Sequence, residues 1–330
     1  MPRSAIPQTQ PPRYALGVDV GGTKIAAGVV DIVTGEMQSR REVPTQAARG
    51  GQAVLDTVTD LCRALLDAAQ GPIEAIGVGV CELVDPAGDV QSAHTVAWQG
   101  LPVRDALAQV APADATVLVE SDVRAHAVAE AWFGAGAEYD LFVFVTVGTG
   151  ISSCLVQALT PLAGAQGNAL VLASAPLEIP VTTADGRETI QTFVLEEYAS
   201  GSALLQRFER ATGEQLAHGR ELFARAAQAG APGNEQARHI LNSAGAALGN
   251  SIAFLVNILD PQAVIIGGGL GVAGGLYWDA LVAATRRGIY ADNSRELPLR
   301  PAYLGGDAGI IGAAKAAACA AGATAIHKQK

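Results

Sequence analysis

Two turns that combine glycine with threonine constrain this chain more than any other feature: Asp19-Val20-Gly21-Gly22-Thr23-Lys24 and Thr146-Val147-Gly148-Thr149-Gly150. Each ends an apolar run that reads as a buried strand, Tyr14 to Val18 before the first and Leu141 to Val145 before the second. Glycine has no Cβ, so a strand running out into such a turn can bring backbone N–H groups against phosphate oxygens. Two such devices predict two walls closing on one triphosphate. A further apolar run, Ala115 to Val119, ends in Glu120-Ser121-Asp122 and so delivers a carboxylate at another strand end. Phosphoryl transfer asks a protein mainly for position, charge neutralisation and one base. The spacing therefore predicts that chemistry, with Asp122 as the base.

The rest of the chain alternates strand and helix patterns. Tyr14 to Val18, Ala26 to Val30 and a run around Met37 to Val43 read as strands joined by tight turns. From Gly51 to Ala69 the apolar residues Val54, Leu55, Val58, Leu61, Cys62, Leu65 and Leu66 recur at helical spacing. Ala75 to Val80 and Ala115 to Val119 are strands, and Val123 to Phe133 is a helix opening after Ser121-Asp122, whose oxygens suit an N-cap. Further on, Leu141 to Val147 and Ser153 to Val156 form a strand pair about the second turn, and Thr182 to Thr189 is polar and turn-rich. Helices are expected over Gly201 to Ala211, Gly219 to Ala229, Asn234 to Leu259, Tyr277 to Ile289 and Gly306 to Ala321, with strands at Ala263 to Ile266 and Arg300 to Leu304. Such interleaving implies two α/β domains rather than one barrel.

Composition narrows the function. The chain of 330 residues is 49% hydrophobic and 16% charged, enough for a large core. A net charge of −10 argues against nucleic acid, yet does not exclude a nucleotide gripped by oriented amides and a metal ion. Cys62, Cys81, Cys154 and Cys319 are scattered without zinc spacing, as in a reduced, cytoplasmic protein. Met1 to Arg13 reads as a flexible tail and not a signal peptide. The apolar stretch Ala244 to Ile258 is broken by Asn250, Ser251 and Asn257, so no membrane span is expected.

Taken together, the motifs resemble the ROK family (repressors, open reading frames and kinases) of the actin-like ATPase superfamily, from about Tyr14 to Ala321. Leu16 to Ile25 resembles its first phosphate motif, Glu120 to Ala125 with Ala129 to Gly136 its catalytic segment, Gly148 to Ile151 its second phosphate motif and Val264 to Leu270 its adenosine-side loop. The resemblance implies an α/β fold of two RNase H-like (actin/hexokinase-type) lobes around a nucleotide cleft. Residues 14–121 with 307–330 would form the first lobe and 122–306 the second. It implies an ATP-dependent kinase with Asp19 near Mg²⁺, and Gly21, Gly22, Thr23, Lys24, Gly148, Thr149, Gly150, Gly267, Gly268 and Gly269 around the nucleotide. Asp122 would take the proton of a primary hydroxyl on a small-molecule polyol, next to Glu82, Thr95, Ser121 and Glu196. A homodimer is also implied.

Departures from the family pattern bear on the acceptor. Ser174 stands where the zinc-site His is expected and Arg187 to Val194 replace a Cys-rich run, so no structural zinc is expected. Val171 stands in place of a sugar-binding Glu, Ser121 and Thr95 in place of two Asn, Cys81-Glu82 in place of Pro-Gly, and Ser152-Ser153 in place of two glycines. The lost groups grip the anomeric end of a hexose in the family. Their replacement points to a sugar-like ring differing at that end, either a C7-cyclitol or a modified hexose. The alternatives are a glucokinase-type hexose kinase and a catalytically silent sugar-binding relative. Arg124 is a weaker candidate for a phosphate or substrate contact. His94 and His126 read more readily as ordinary surface or core residues than as ligands.

Overall fold

The computed structural model describes residues 11–182 and 186–328, so most of the expected N-terminal tail lies outside the described residues. Its elements run β1 (Tyr14–Val20), β2 (Lys24–Asp31), β3 (Met37–Pro44), α1 (Gly51–Leu66), β4 (Ile73–Val80), α2 (Val103–Ala108), β5 (Thr116–Ser121) and α3 (Asp122–Phe133). Then come β6 (Leu141–Val147), β7 (Ile151–Gln157), β8 (Thr160–Pro161), β9 (Pro176–Thr182), β10 (Glu188–Val194), α4 (Leu195–Ala199), α5 (Gly201–Thr212) and α6 (Gly219–Ala227). The chain closes with α7 (Asn234–Leu259), β11 (Ala263–Gly267), α8 (Gly275–Gly288), β12 (Leu299–Pro301) and α9 (Ala308–Lys328). The expected strand at 300–304 shortens to β12; of the stretch 182–189 expected to be turn-rich, Thr182 ends β9 and Glu188 and Thr189 open β10, while 183–185 lie outside the described residues.

The chain divides into two compact units. One holds residues up to Asp140, Cys154–Ala169 and those from Tyr303 onward; the other holds Leu141–Ser153 and Leu170–Ala302. Helix α3, expected to open the second lobe, thus belongs to the first unit, because it packs on α9 and β4 of that unit. Arg13, expected in the loose tail, ion-pairs with Glu74 at 2.9 Å and its carbonyl accepts from Ile32 N–H at 2.8 Å.

The first unit is built on a sheet of order β3-β2-β1-β4-β5, in which β1, β4 and β5 are parallel and β2 runs antiparallel to both its neighbours, β1 and β3. Its strands alternate large and small side chains. Leu16, Val18 and Val20 of β1, with Ile76, Val78 and Val80 of β4, join Val54, Val58 and Leu65 of α1 in one core. The opposite face carries Ala15, Gly17, Ala75, Gly77 and Gly79, which lets α9 come unusually close. A Cβ on Gly17 or Gly77 would collide with the carbonyls of Ile310 or Ala313, and one on Gly312 of α9 with the carbonyl of Ala125 in α3. Small residues on the strands and on α9 are therefore what seats α9 against β1, β4 and α3. Registry then lines up the strand ends: Asp19, Gly79 and Glu120 share one row, and Val20, Val80 and Ser121 the next.

The second unit's sheet has the order β12-β11-β6-β7-β8. Strands β11 and β6 are parallel with Gly267 opposite Thr146, which sets the loop after β11 beside the turn after β6. Helix α7 is long and apolar enough to cross a membrane, but 56% of its most apolar window is buried, largely against α8, whose Tyr277 and Leu281 are fully buried.

Candidate functional site

In the first unit the turn between β1 and β2 is held shut. Gly21 N–H donates to the Lys24 carbonyl at 3.0 Å, and the buried Thr45 donates its hydroxyl to the Gly21 carbonyl at 2.6 Å and its N–H partner is the Thr23 carbonyl at 3.0 Å. Lys24, the first residue of β2, is exposed and ion-pairs with Glu42 at 3.1 Å. Asp19 lies at the end of β1 under α9, where Gly309 meets it so closely that a Cβ there would lie 2.5 Å from the Asp19 carboxyl carbon.

Ser121 occupies the N-cap position of α3, yet its hydroxyl does not cap the helix. It is buried without a hydrogen-bond partner among the described residues. An orphaned buried hydroxyl is costly unless a ligand completes it. Beside it, Asp122 accepts from the N–H of Val123 at 2.6 Å, and one turn later a ring nitrogen of His126 sits 2.7 Å from the Asp122 carbonyl oxygen.

The carboxyl of Asp122 is pushed up from 3.8 to about 6. Burial raises it most; the His126 imidazole pulls it back, the Asp19 carboxylate raises it further, and the Val123 N–H and Arg124 lower it. Burial likewise raises Asp19, against the pull of His126 and Lys24. Two partly buried carboxylates that repel one another suit a divalent cation. Mg²⁺ is commonly held by one or two carboxylates together with substrate phosphates. Asp19 and Asp122 fit that pattern. Among the described residues there is no group of three or more His, Cys, Asp or Glu that could hold a metal ion by themselves.

Two residues expected near substrate have other work. Arg124 is buried: its guanidinium pairs with Glu120 and donates to the carbonyls of Gly167 at 2.7 Å and Val84 at 2.6 Å, so most of its donors are spent bracing loops. Glu82 is also buried and both of its oxygens are occupied, by the Ser92 hydroxyl and by the N–H groups of His94 at 3.0 Å, Thr95 at 2.6 Å and Val96 at 2.9 Å. Burial alone would raise this carboxyl, but the Ser92 hydroxyl and the three N–H groups together hold it below the ordinary Glu range. Glu82 therefore organises the loop carrying Thr95 instead of facing a substrate. Thr95 in turn rests its methyl on Gly22, 2.7 Å from where a Cβ would stand.

The second unit gathers the other glycine motifs. Gly148 N–H donates to the Gly150 carbonyl at 2.9 Å, while Gly201 N–H and the Ser202 hydroxyl bind the carbonyls of Gly148 and Thr149 at 2.8 and 2.7 Å. Glu196 accepts from Ile151 N–H at 2.7 Å, so one of its oxygens is committed to this turn. The loop Gly267-Gly268-Gly269 clips onto the end of β6, where the N–H groups of Leu270 and Gly271 reach the Val147 carbonyl at 3.0 and 3.1 Å. Gly268 has a φ of 80° and faces the Val147 backbone, a position closed to larger residues. These segments border a cavity of about 1140 Å³, polar at Gly148, Thr149 and Ser202 and lined farther on by Leu205, His218, Arg220 and Phe223.

Sequence reasoning missed Thr45, Gly309, Ser202 and the pocket residues of α5 and α6. A Gly-x-x-Gly pattern in the last helix, Gly309 to Gly312, was the available signal for a close approach; nothing in the local sequence marks Thr45 or Phe223. Val171, where the resemblance leads one to expect Glu, is 46% exposed, and the exposed Ser174 donates its hydroxyl to the Val171 carbonyl at 2.9 Å.

A family model described as ROK family matches residues 15–319. The glucokinase of Streptomyces coelicolor is 30% identical over 318 residues, covering 91% of this chain and 96% of that protein. Among solved structures, the ROK hexokinase of Thermus thermophilus superposes with a TM-score of 0.77 at 32% identity, covering 94% of this chain and 99% of that one. A ROK family glucokinase from Streptomyces griseus, solved with glucose and AMPPNP, gives a TM-score of 0.73 at 29% identity, covering 93% and 99%.

Proposed function

The chain belongs to the ROK family, and on that premise we propose that it transfers the γ-phosphoryl of ATP to a hydroxyl of a sugar or sugar-like polyol. The observation that carries this reading is the pairing of an orphaned, buried Ser121 hydroxyl with a carboxylate whose affinity for protons is raised toward neutrality. A base poised near the working pH removes a proton efficiently while remaining largely ionised at pH 7. Ser121 offers the acceptor a hydrogen bond, and Asp122 takes the proton of the attacking hydroxyl. Asp19 is the residue that holds Mg²⁺, which when bound neutralises charge on the phosphates. In the second unit, the turn 148–150 and loop 267–269 flank the phosphate end of the cavity. Phe223 and His218 offer ring faces for the base. The relatives, a glucokinase and a structure with bound AMPPNP, support sugar phosphorylation with ATP.

At the finer level, the acceptor is a ring altered at the end opposite its primary hydroxyl, a C7-cyclitol first and a modified hexose second. Val171 and Ser174 cannot supply the carboxylate and imidazole contacts that a free reducing end would use, and a site lacking those partners loses its preference for that end. ADP release with glucose, N-acetylmannosamine, allose and valiolone-type cyclitols tests both levels. Turnover with any of them supports the kinase reading, and a strong preference for glucose refutes the cyclitol.

A further inference from the structure

We infer that Glu82 is a positioning residue that sets acceptor binding by holding the loop Ser92–Val96 in one conformation. This rests on the kinase reading above, and the assays below separate the two. The residue lies two positions beyond β4, whose end stands between the Val20 carbonyl, which accepts from Cys81 N–H at 3.2 Å, and Ser121 in the neighbouring strand. It is thus at the point where the phosphate turn, the base and the next loop converge in the first unit.

From there the chain makes an excursion and returns. Val84 and Val90 form a bridge, Gln91 N–H reaches the Leu83 carbonyl at 2.7 Å, and Leu83 N–H reaches the Ser92 hydroxyl at 2.9 Å. The end of the excursion then turns three consecutive N–H groups, of His94, Thr95 and Val96, onto one carboxylate. Successive inward N–H groups form a concave anion receptor, and here the anion is supplied by the chain itself. With the Ser92 hydroxyl, each carboxylate oxygen has two donors. An amide at position 82 accepts on one side only, and glycine on neither, so either change leaves buried donors unpaired. What the loop presents is Thr95. Its methyl rests on Gly22 of the phosphate turn, and its hydroxyl lies on the side of the Cys81 thiol, which burial and the nearby Asp122 carboxylate push up to about 12 against the pull of Thr95. Thr95 is thereby wedged between the phosphate turn and the neighbourhood of the base, and Glu82 decides whether it stays there.

The test uses the full-length protein and the acceptor of highest kcat/KM among glucose, N-acetylmannosamine, allose and valiolone. Glu82→Gln should raise the KM for that acceptor at least tenfold, change the KM for ATP less than twofold, and speed amide hydrogen exchange at residues 94–96 without ligand. Glu82→Gly should show a larger loss, partly restored by added formate, which can enter the vacated receptor. Combined with Thr95→Ala, the effect of Glu82→Gln should be non-additive. If Glu82→Gln lowers stability too far for assay, Ser92→Ala, which removes one of the four donors to Glu82 together with the acceptor of Leu83 N–H, should reproduce the acceptor effect more weakly. Faster exchange with unchanged acceptor KM, an equal rise in both KM values, additivity with Thr95→Ala, or no formate rescue would each overturn the inference. Absence of turnover in the unaltered protein would instead refute the kinase reading.

Discussion

Replacing the proposed base, Asp122→Asn, should nearly abolish turnover and, above neutral pH, make the protein more stable. The folded protein holds this carboxyl at about 6 against 3.8 for the free group, chiefly through burial. At about 1.36 kcal/mol per pKa unit, ionising it in the folded, ligand-free state costs up to about 3 kcal/mol, trimmed by the solvent that still reaches it. The sign follows from linkage. A group whose folded pKa is raised contributes its full stability below the unfolded pKa and loses it as pH rises through the folded pKa. The unaltered protein should therefore weaken between about pH 4 and pH 7, and the amide should remove that loss. Urea unfolding of both proteins with a chelator and no nucleotide should show a gain for Asp122→Asn of about 2–3 kcal/mol at pH 7.5, shrinking below about 1 kcal/mol at pH 4. The same variant should lose roughly 10²–10⁴-fold in kcat with unchanged affinity for a fluorescent ATP analogue. A gain that does not depend on pH would show that burial does not strain this carboxylate. Retained turnover would remove Asp122 from the role of base.

Other perturbations probe separate parts of the assembly. Removing the imidazole that draws the Asp122 carboxyl down, as in His126→Gln, should move the acidic limb of the kcat/KM profile to higher pH; an unmoved limb counts against that electrostatic link. Gly309→Ala would drive a Cβ into the Asp19 carboxylate. It should lower stability by about 1–3 kcal/mol and weaken the Mg²⁺ dependence of turnover, read from a metal titration. Gly268→Ala places a side chain at positive φ against the Val147 backbone, so the KM for ATP should rise about tenfold or more, with the acceptor KM changed little. Equal changes in both constants would place this loop away from the nucleotide.

Much of the architecture was legible because its signals are local. Burial on both faces turns β1, β4 and β6 into short apolar runs, and their ends in Gly-Gly-Thr, Cys-Glu and Gly-Thr-Gly punctuate them plainly. The helical spacing of Val54, Leu55, Val58, Leu61, Cys62 and Leu65 is that of α1 as it stands. The β9–β10 pair was missed because Pro176 and Pro180 weaken the strand signal of the alternating Leu177 and Ile179, and β10 is exposed over its first five residues. The unit boundary was misplaced because α3 follows β5 without a break in composition. Its packing on β4 and α9, with Gly312 against the Ala125 carbonyl, assigns α3 to the first unit.

By itself, the order of residues determined the strand-turn motifs, the carboxylate proposed as base and the class of chemistry, since each depends on a few neighbours in the chain. The tertiary structure alone decided which charged groups are available to a ligand. Glu82 and Arg124 look equally free in the sequence, yet partners from other loops occupy both oxygens of the first and most donors of the second. Ser121 looks like a helix cap and is instead left unpaired. Availability depends on burial and on partners 10 to 43 residues away, and no local pattern encodes either.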